Sequence, residues 1–333
     1  MAAKKLGVAL VGLGYLSTYQ IAKSFKHSKH CRLTAVVTGT PEKAKLWKKR
    51  YVLPDSHIYS YETFDQIVHN PDVDFVYLVL PNSMHAEFTI RAAKAGKHVL
   101  CEKPMANSVR ECEAMIAACR KAKRKLAIAY RCQLQPHHLE ARRLACEEVF
   151  GKIKVIEAGF AFTLNAKPQW RLEKELAGGG ALMDVGIYAL QACRYLTGEE
   201  PNSISAIEAK TAPAKFKEVD ETINWVMSFP SGVTAYCTTS YNFDGINRFR
   251  AYAEKGWFEV DPAYGYGGVR AKRSDRKPMK FKATDQFAVQ FDDFARCIVE
   301  DRESTVSGEE GLRDMRVIEA IYKSIRTGRT IKL

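Results

Sequence analysis

The sequence predicts an α/β chain in two parts, a doubly wound parallel-sheet domain followed by an α+β domain with a mainly antiparallel open sheet. Three observations predict it. Over the first 125 residues, short near-continuous apolar runs alternate with helical patterns, as parallel strands covered on both faces do. The first of these runs leads directly into Gly12-Leu13-Gly14. After Gly151 the runs become longer, β-rich and partly alternating, the pattern of antiparallel strands.

Taken in order, 8–11, 33–37, 73–80, 98–101 and 126–129 read as buried strands. Between them, 85–95 and 109–121 place apolar residues at helical spacing, and a helix is expected at 135–150. The second part offers strands at 152–164, 203–210, 222–229, 233–241 and 257–260. Phe229-Pro230-Ser231-Gly232-Val233 reads as a hairpin turn joining two of them. A helix is expected after Gly178-Gly179-Gly180, and helical patterns return at 287–299 and 311–325. The expected division is 1–125 and 126–333, with the helix at 135–150 and the C-terminal helix as candidates to pack back on the first domain.

Composition fits this frame. The chain has 333 residues, 46% hydrophobic and 27% charged, enough for two domains at about 150 residues each. No apolar run is read as approaching the roughly 20 residues of a bilayer span. Residues 6–13 are too short and glycine-punctuated for a signal peptide. The net charge of +13 is uneven, +11 over residues 1–150 and +2 over 151–333. The basic runs carry no helix-turn-helix, RNA-recognition or zinc-finger pattern, so no nucleic-acid partner is expected and most are read as solvated faces. Nine cysteines without a CxxC pair fit reduced thiols in a cytoplasmic protein, and no metal-ligand spacing is present.

The turn after the first strand carries the first chemistry. Gly12 permits a tight turn, Gly14 lets the backbone approach a pyrophosphate, and the following helix start presents free N–H groups and a positive dipole end. Ser17 takes the third glycine position with a small side chain. This is the Rossmann dinucleotide arrangement, and its place on the first strand of an alternating pattern raises it above an ordinary glycine turn. A carboxylate ending the second strand would select NAD through the ribose 2′-hydroxyl. This strand ends instead in Thr38-Gly39-Thr40 with Lys43 following, so NADP is expected, with Lys43 on the 2′-phosphate.

Two further motifs bear on the reaction. Cys101-Glu102-Lys103-Pro104 leaves the strand read at 98–101 at the carboxyl edge, where α/β folds place ligands. Asp184 and Tyr188 follow the triple glycine, four residues apart on one helix face. Lysine, aspartate and tyrosine together supply a cation, a hydroxyl-binding carboxylate and a proton donor or acceptor. A surface lysine, a helix-start aspartate and a buried tyrosine are the plainer readings of the same residues.

With the Gly12 turn, Pro81-Asn82-Ser83-Met84-His85, Glu102-Lys103-Pro104 and Asp184 with Tyr188, the chain resembles the glucose–fructose oxidoreductase/inositol dehydrogenase/rhizopine-catabolism oxidoreductase family over nearly its whole length. Thr38-Gly39 with Lys43, Tyr130-Arg131 and Gln169-Trp170-Arg171-Leu172 place it nearest the glucose–fructose and aldose–aldose oxidoreductase branch. Many family members carry histidine where Tyr188 stands. The resemblance implies that Lys103, Asp184 and Tyr188 are catalytic. It implies that Tyr15, Leu16, Tyr61, Pro81, Asn82, His85, Glu102 and Arg131 line the cofactor, while Trp170 and Arg171 reach over to NADP. Tyr130 and Tyr266 are candidates for the substrate pocket wall. The first strand begins within the first ten residues, leaving no export signal or cofactor-holding arm of the glucose–fructose oxidoreductase kind and implying a cytoplasmic place.

The implied reaction moves a hydride from C1 of a pyranose aldose to NADP, giving an aldonolactone. A free tyrosine titrates near about pH 10, so Tyr188 as a base needs a neighbouring cation, for which Lys103 is the candidate. Run backwards, the same groups reduce a second aldose to an alditol. If NADPH stays bound, the enzyme is an aldose–aldose oxidoreductase; if it leaves, a D-xylose/glucose 1-dehydrogenase. A dihydrodiol or inositol dehydrogenase and a sugar-sensing regulator of the same fold are the alternatives. A homo-oligomer, dimer or tetramer, is expected.

Overall fold

The computed structural model describes residues 5–165 and 169–333, and the chain divides into two compact units. The first comprises residues 5–131 and 285–312; the second, the described residues of 132–284 and 313–333.

In the first unit, β1 (Leu6–Val11), β2 (Cys31–Val37), β3 (Ile58–Tyr59), β4 (Phe75–Leu78), β5 (His98–Cys101) and β6 (Leu126–Ile128) form a parallel sheet in the order β3-β2-β1-β4-β5-β6. This is the doubly wound order whose ligand crevice lies at the carboxyl edge beside β1. Of the inner strands, β4 is buried throughout and β1 from Gly7 onward, which is why their sequences read as unbroken apolar runs. The connecting helices are α1 (Ala22–Ser24), α2 (Pro41–Tyr51), α3 (His85–Lys94) and α4 (Val109–Lys121). Local chemistry starts them where the sequence suggests. Ser108 Oγ accepts from Glu111 N at 3.3 Å while Glu111 Oε2 accepts from Asn107 N at 2.9 Å, two donors satisfied at the head of α4. Pro41 opens α2, where its missing N–H costs nothing.

The second unit begins with α5 (Pro136–Cys146) and β7 (Ile153–Ala161), followed by α6 (Lys174–Ala177), α7 (Ile187–Thr197), β8 (Ser203–Ala209), β9 (Thr222–Ser228), β10 (Thr234–Ser240), β11 (Asn247–Ala253), β12 (Gly256–Val260) and β13 (Ala271–Arg273). The chain then contributes α8 (Gln286–Val299) to the first unit, and ends with α9 (Gly308–Thr327) and β14 (Ile331–Lys332). The second sheet runs β13-β12-β11-β7-β10-β9-β8-β14, antiparallel throughout except where β7 pairs with β10. Helix α7 covers one face and is buried over most of its length. Its Arg194 meets fully buried Asp314 at 2.5 Å and also pairs with Glu200, so a charge taken out of water is matched.

Three expectations change. The division falls after Arg131 rather than at 125, because β6 pairs with β5 and completes the first sheet. The helix at 135–150 is α5 and belongs to the second unit, while the segment that returns to the first, 285–312, holds α8 and the first residues of α9, so the C-terminal helix returns in part. Phe291 of α8 stacks on Phe25 at 4.6 Å, and Phe294 meets Phe75 edge-on at 5.2 Å. Finally, 174–197 is long and apolar enough to cross a membrane, contrary to the reading of the sequence, but 83% of its apolar stretch is buried inside the protein.

Candidate active site

The turn after β1 is built as its glycines require. Gly12 has φ +89°, and a Cβ there would lie 2.2 Å from Val79 O, so both conformation and space demand glycine. At Gly14 a Cβ would meet nothing within 4 Å, so the backbone there borders open space. Ser17 is fully buried and donates to Gly12 O at 2.5 Å, tying helix to turn. The helix enters through a π-turn, Ser17–Ile21, a distortion frequent at functional sites. Tyr15 stands exposed and pairs with Tyr19, and Leu16 is half-buried.

At the end of β2, Thr38 is buried and its Oγ1 accepts from Thr40 N at 3.2 Å, which shapes the turn. Gly39 is exposed and packs so tightly beside Tyr61 that a Cβ would lie 3.0 Å from the ring. Lys43, one turn into α2, is exposed. No carboxylate ends the strand, which runs from Val37 into Thr38-Gly39-Thr40.

Behind the edge of β5 lies a buried polar set. Tyr77 Oη donates to Glu102 Oε1 at 2.5 Å, and Glu102 Oε2 accepts from Lys103 N at 3.3 Å. Burial pushes the Glu102 carboxyl above its usual range, against the opposing pull of the Tyr77 hydroxyl and the Lys103 charge. Arg131 is buried and donates to Gln286 Oε1 at 2.5 Å, and Tyr130 beside it is buried. Lys103 and Pro81 are half-buried, and Asn82 is buried. His85, expected in the cofactor lining, lies in the core. It is 0% exposed, with Nδ1 2.9 Å from Pro104 O and Nε2 3.0 Å from Leu80 O. A neutral imidazole donates to one of these two carbonyls, and the ring sits between the two loops that leave β4 and β5.

In the second unit, Asp184 sits in a π-turn, Leu182–Gly186, that opens α7, and Tyr188 follows one turn on. Asp184 Oδ2 accepts from Arg171 Nε at 3.0 Å and from Tyr241 Oη at 2.7 Å. The Asp184 charge holds the Arg171 guanidinium above its ordinary range. Burial, and then the same charge, push the Tyr241 phenol well above its own, so it remains a donor. Arg171 lies over the Trp170 ring at 4.6 Å. Tyr188 is buried between Phe160, edge-on at 5.7 Å, and Tyr264 at 5.4 Å. Tyr266, on the glycine-rich loop, is 49% exposed.

Sequence reasoning missed what holds this helix. Asp220 accepts from Gly180 N at 2.6 Å, Leu182 N at 2.8 Å and Tyr322 Oη at 2.6 Å. The triple glycine makes the approach possible: a Cβ on Gly180 would lie 2.0 Å from Asp220 O, and one on Gly179 2.1 Å from Tyr322 Oη. Three consecutive glycines ahead of a helix could have been read as a demand for close backbone approach; nothing local pointed to Asp220, Tyr322 or Tyr241. A cavity of about 680 Å³ lies on the face of the second sheet away from α7, lined by Glu157, Tyr236 and Arg248 among others, and no candidate catalytic residue borders it.

A doubly wound parallel sheet with a glycine turn after its first strand, followed by an α+β unit, is the architecture of a two-part Rossmann oxidoreductase. The chain belongs to the oxidoreductase family with the NAD-binding Rossmann fold, which matches residues 6–130, and residues 138–259 match the GFO/IDH/MocA C-terminal domain. The solved aldose-aldose oxidoreductase from Caulobacter crescentus, complexed with glycerol, is 49% identical with a TM-score of 0.95, over 99% of this chain and 100% of that one. The D-xylose 1-dehydrogenase [NADP(+)] of Haloarcula marismortui is 31% identical over 98% of this chain and 92% of its own length. A D-xylose 1-dehydrogenase (NADP(+)) 2 from Haloferax volcanii is 30% identical over 82% and 85%.

Proposed function

We propose that the protein is an NADP-dependent aldose oxidoreductase, oxidising a pyranose aldose at C1 to the aldonolactone and returning the reducing equivalents to a second aldose as an alditol. The observation that carries this reading is the Asp184 cluster, a carboxylate held by Arg171 and Tyr241 one turn ahead of Tyr188. The 49% identity to an aldose-aldose oxidoreductase over 99% of the chain supports it.

When bound, the nicotinamide supplies the hydride acceptor for the C1 hydrogen. Tyr188 is assigned the proton of the reacting hydroxyl, taken in oxidation and given back in reduction. Lys103, on the first unit, is assigned the cation that makes a tyrosinate affordable, and Asp184 anchors sugar hydroxyls. The turn Gly12–Gly14 with Tyr15, Leu16, Tyr61, Pro81, Asn82, His85, Glu102, Lys103, Arg131, Trp170 and Arg171 is assigned to the dinucleotide, and Thr38, Gly39 and Lys43 to its 2′-phosphate. Tyr130 and Tyr266 are assigned to the sugar pocket wall. A cytoplasmic, homo-oligomeric enzyme is part of the same proposal.

The decisive experiment takes purified protein before any cofactor is added. Absorbance in the reduced-nicotinamide band that one aldose restores and another bleaches establishes the two half-reactions. The likeness to the NADP-dependent D-xylose 1-dehydrogenases supports a second reading, in which NADPH leaves after each oxidation. Protein that arrives without the band and turns over xylose or glucose only with added NADP⁺ favours that one. Oxidation of myo-inositol alone would sink both. A Tyr188→Phe variant is expected to lose at least about a hundredfold in kcat, the scale of general acid–base catalysis; undiminished turnover would remove Tyr188 from the mechanism.

A further inference from the structure

We propose that Tyr241 is a positioning residue for sugar recognition, fixing the Asp184 carboxylate in the orientation in which it takes aldose hydroxyls. The inference rests on the assignment of Asp184 to sugar binding made above.

Three separate elements converge on one oxygen. Asp184 stands in the π-turn Leu182–Gly186, Arg171 comes from the turn Trp170–Leu172, and Tyr241 immediately follows β10. Arg171 Nε and Tyr241 Oη both donate to Oδ2, at 3.0 and 2.7 Å. An aspartate held by a single donor can still swing about that bond; a second donor from another direction stops it. The two donors differ in rigidity. Tyr241 is 1% exposed, meets Phe162 edge-on at 5.3 Å and lies in a cluster with Leu164, Ala181, Val185, Phe216 and Val219. The Arg171 side chain keeps 34% of its surface in water. Arg171 therefore supplies charge and Tyr241 supplies the fixed direction.

The division of labour suits a polyol ligand. A carboxylate offers roughly four acceptor positions, so one that accepts from the protein can also accept from hydroxyls of a pyranose. Discriminating among aldoses by hydroxyl geometry requires that the acceptor not follow the ligand, since sites built to pair a hydroxyl lose most when it is misplaced. Tyr241 Oη points at the carboxylate and acts through it.

Tyr241→Phe keeps the ring and deletes the donor. The expected result is a roughly tenfold rise in KM for the aldose, about 1.4 kcal/mol, with kcat within about threefold and the Kd for NADP⁺ unchanged. In an Asp184→Ala background the same substitution should shift KM by less than about twofold, because no carboxylate remains to be positioned. Arg171→Lys, which keeps charge but loses the planar donor, should also raise the aldose KM. An unchanged KM in Tyr241→Phe, or an equal rise in both backgrounds as simple packing would give, overturns the proposal while leaving Asp184 in place. If Asp184→Ala itself leaves the aldose KM unchanged, the assignment of Asp184 falls first and Tyr241 with it.

Discussion

Replacing Asp220 by alanine tests whether the start of α7 is held from outside the helix. The carboxylate is 5% exposed and accepts three hydrogen bonds, from Gly180 N, Leu182 N and Tyr322 Oη. Removing a helix-start acceptor costs about 0.5–2 kcal/mol, and stranding the Tyr322 hydroxyl costs about 1–3 kcal/mol. Together the loss is about 2–5 kcal/mol, a fall in Tm of roughly 5–15 °C for a unit of this size. The functional effect follows from position: Asp184 and Tyr188 lie four and eight residues beyond Gly180. A shift of about 1 Å in such groups costs up to a hundredfold in rate. Thermal unfolding followed by circular dichroism, with steady-state kinetics on the same samples, measures both. Tyr322→Phe, which keeps the acceptor and removes one donor, should lose only about 1 kcal/mol. An Asp220→Ala protein within about 0.5 kcal/mol of the parent, with unchanged kcat, would refute the clamp.

Two further outcomes follow from the first unit. Burial lowers the His85 imidazole from 6.5 to about 4, so between those values the unfolded chain binds a proton that the folded one does not. Stability is full above about pH 6.5 and declines on the order of 3 kcal/mol as the pH falls to 4; urea titrations at pH 7 and 5 should show the decline, and His85→Gln should lessen it. Lys43→Ala should raise KM for NADP⁺ about tenfold and leave NAD⁺ kinetics unchanged, a shift of about 1.4 kcal/mol; equal effects on both cofactors would take the lysine off the 2′-phosphate.

Much of the fold was legible because burial writes itself as pattern. A strand enclosed on both faces must be apolar at every position, and β1, β4 and β5 could be read on that ground. Helix α4 lies over 109–121 as its spacing predicts, and the turn at 229–233 closes the β9–β10 hairpin. What escaped notice was short or long-range. β3 has two residues, too few for a period, and β11 carries Arg248 and Arg250 on its outer face, which hid its alternation. The π-turns leave no periodic mark, since each inserts only a local change of pitch. At the candidate site, residue types at the ends of strands were readable, whereas Tyr241 and Asp220 act from 57 and 40 residues away from the groups they hold. The carbonyls of Leu80 and Pro104 that flank His85 also come from loops that residue type alone does not disclose.

The return of α8 to the first unit has a consequence for the order in which this protein is made. Phe291 and Phe294 stack on Phe25, Phe75 and Tyr77, and Asp292 accepts from Ser28 Oγ, Lys29 N and His30 N in the loop before β2. When the first 131 residues have left the ribosome, one apolar side of the parallel sheet and one polar loop still lack these partners. They wait through the synthesis of more than 150 further residues. The second unit waits as well, because Asp314, which neutralises Arg194, and the edge strand β14 come later still. Neither half can therefore be finished while the other is unmade, and the growing chain exposes aggregation-prone surface until β14 has been added.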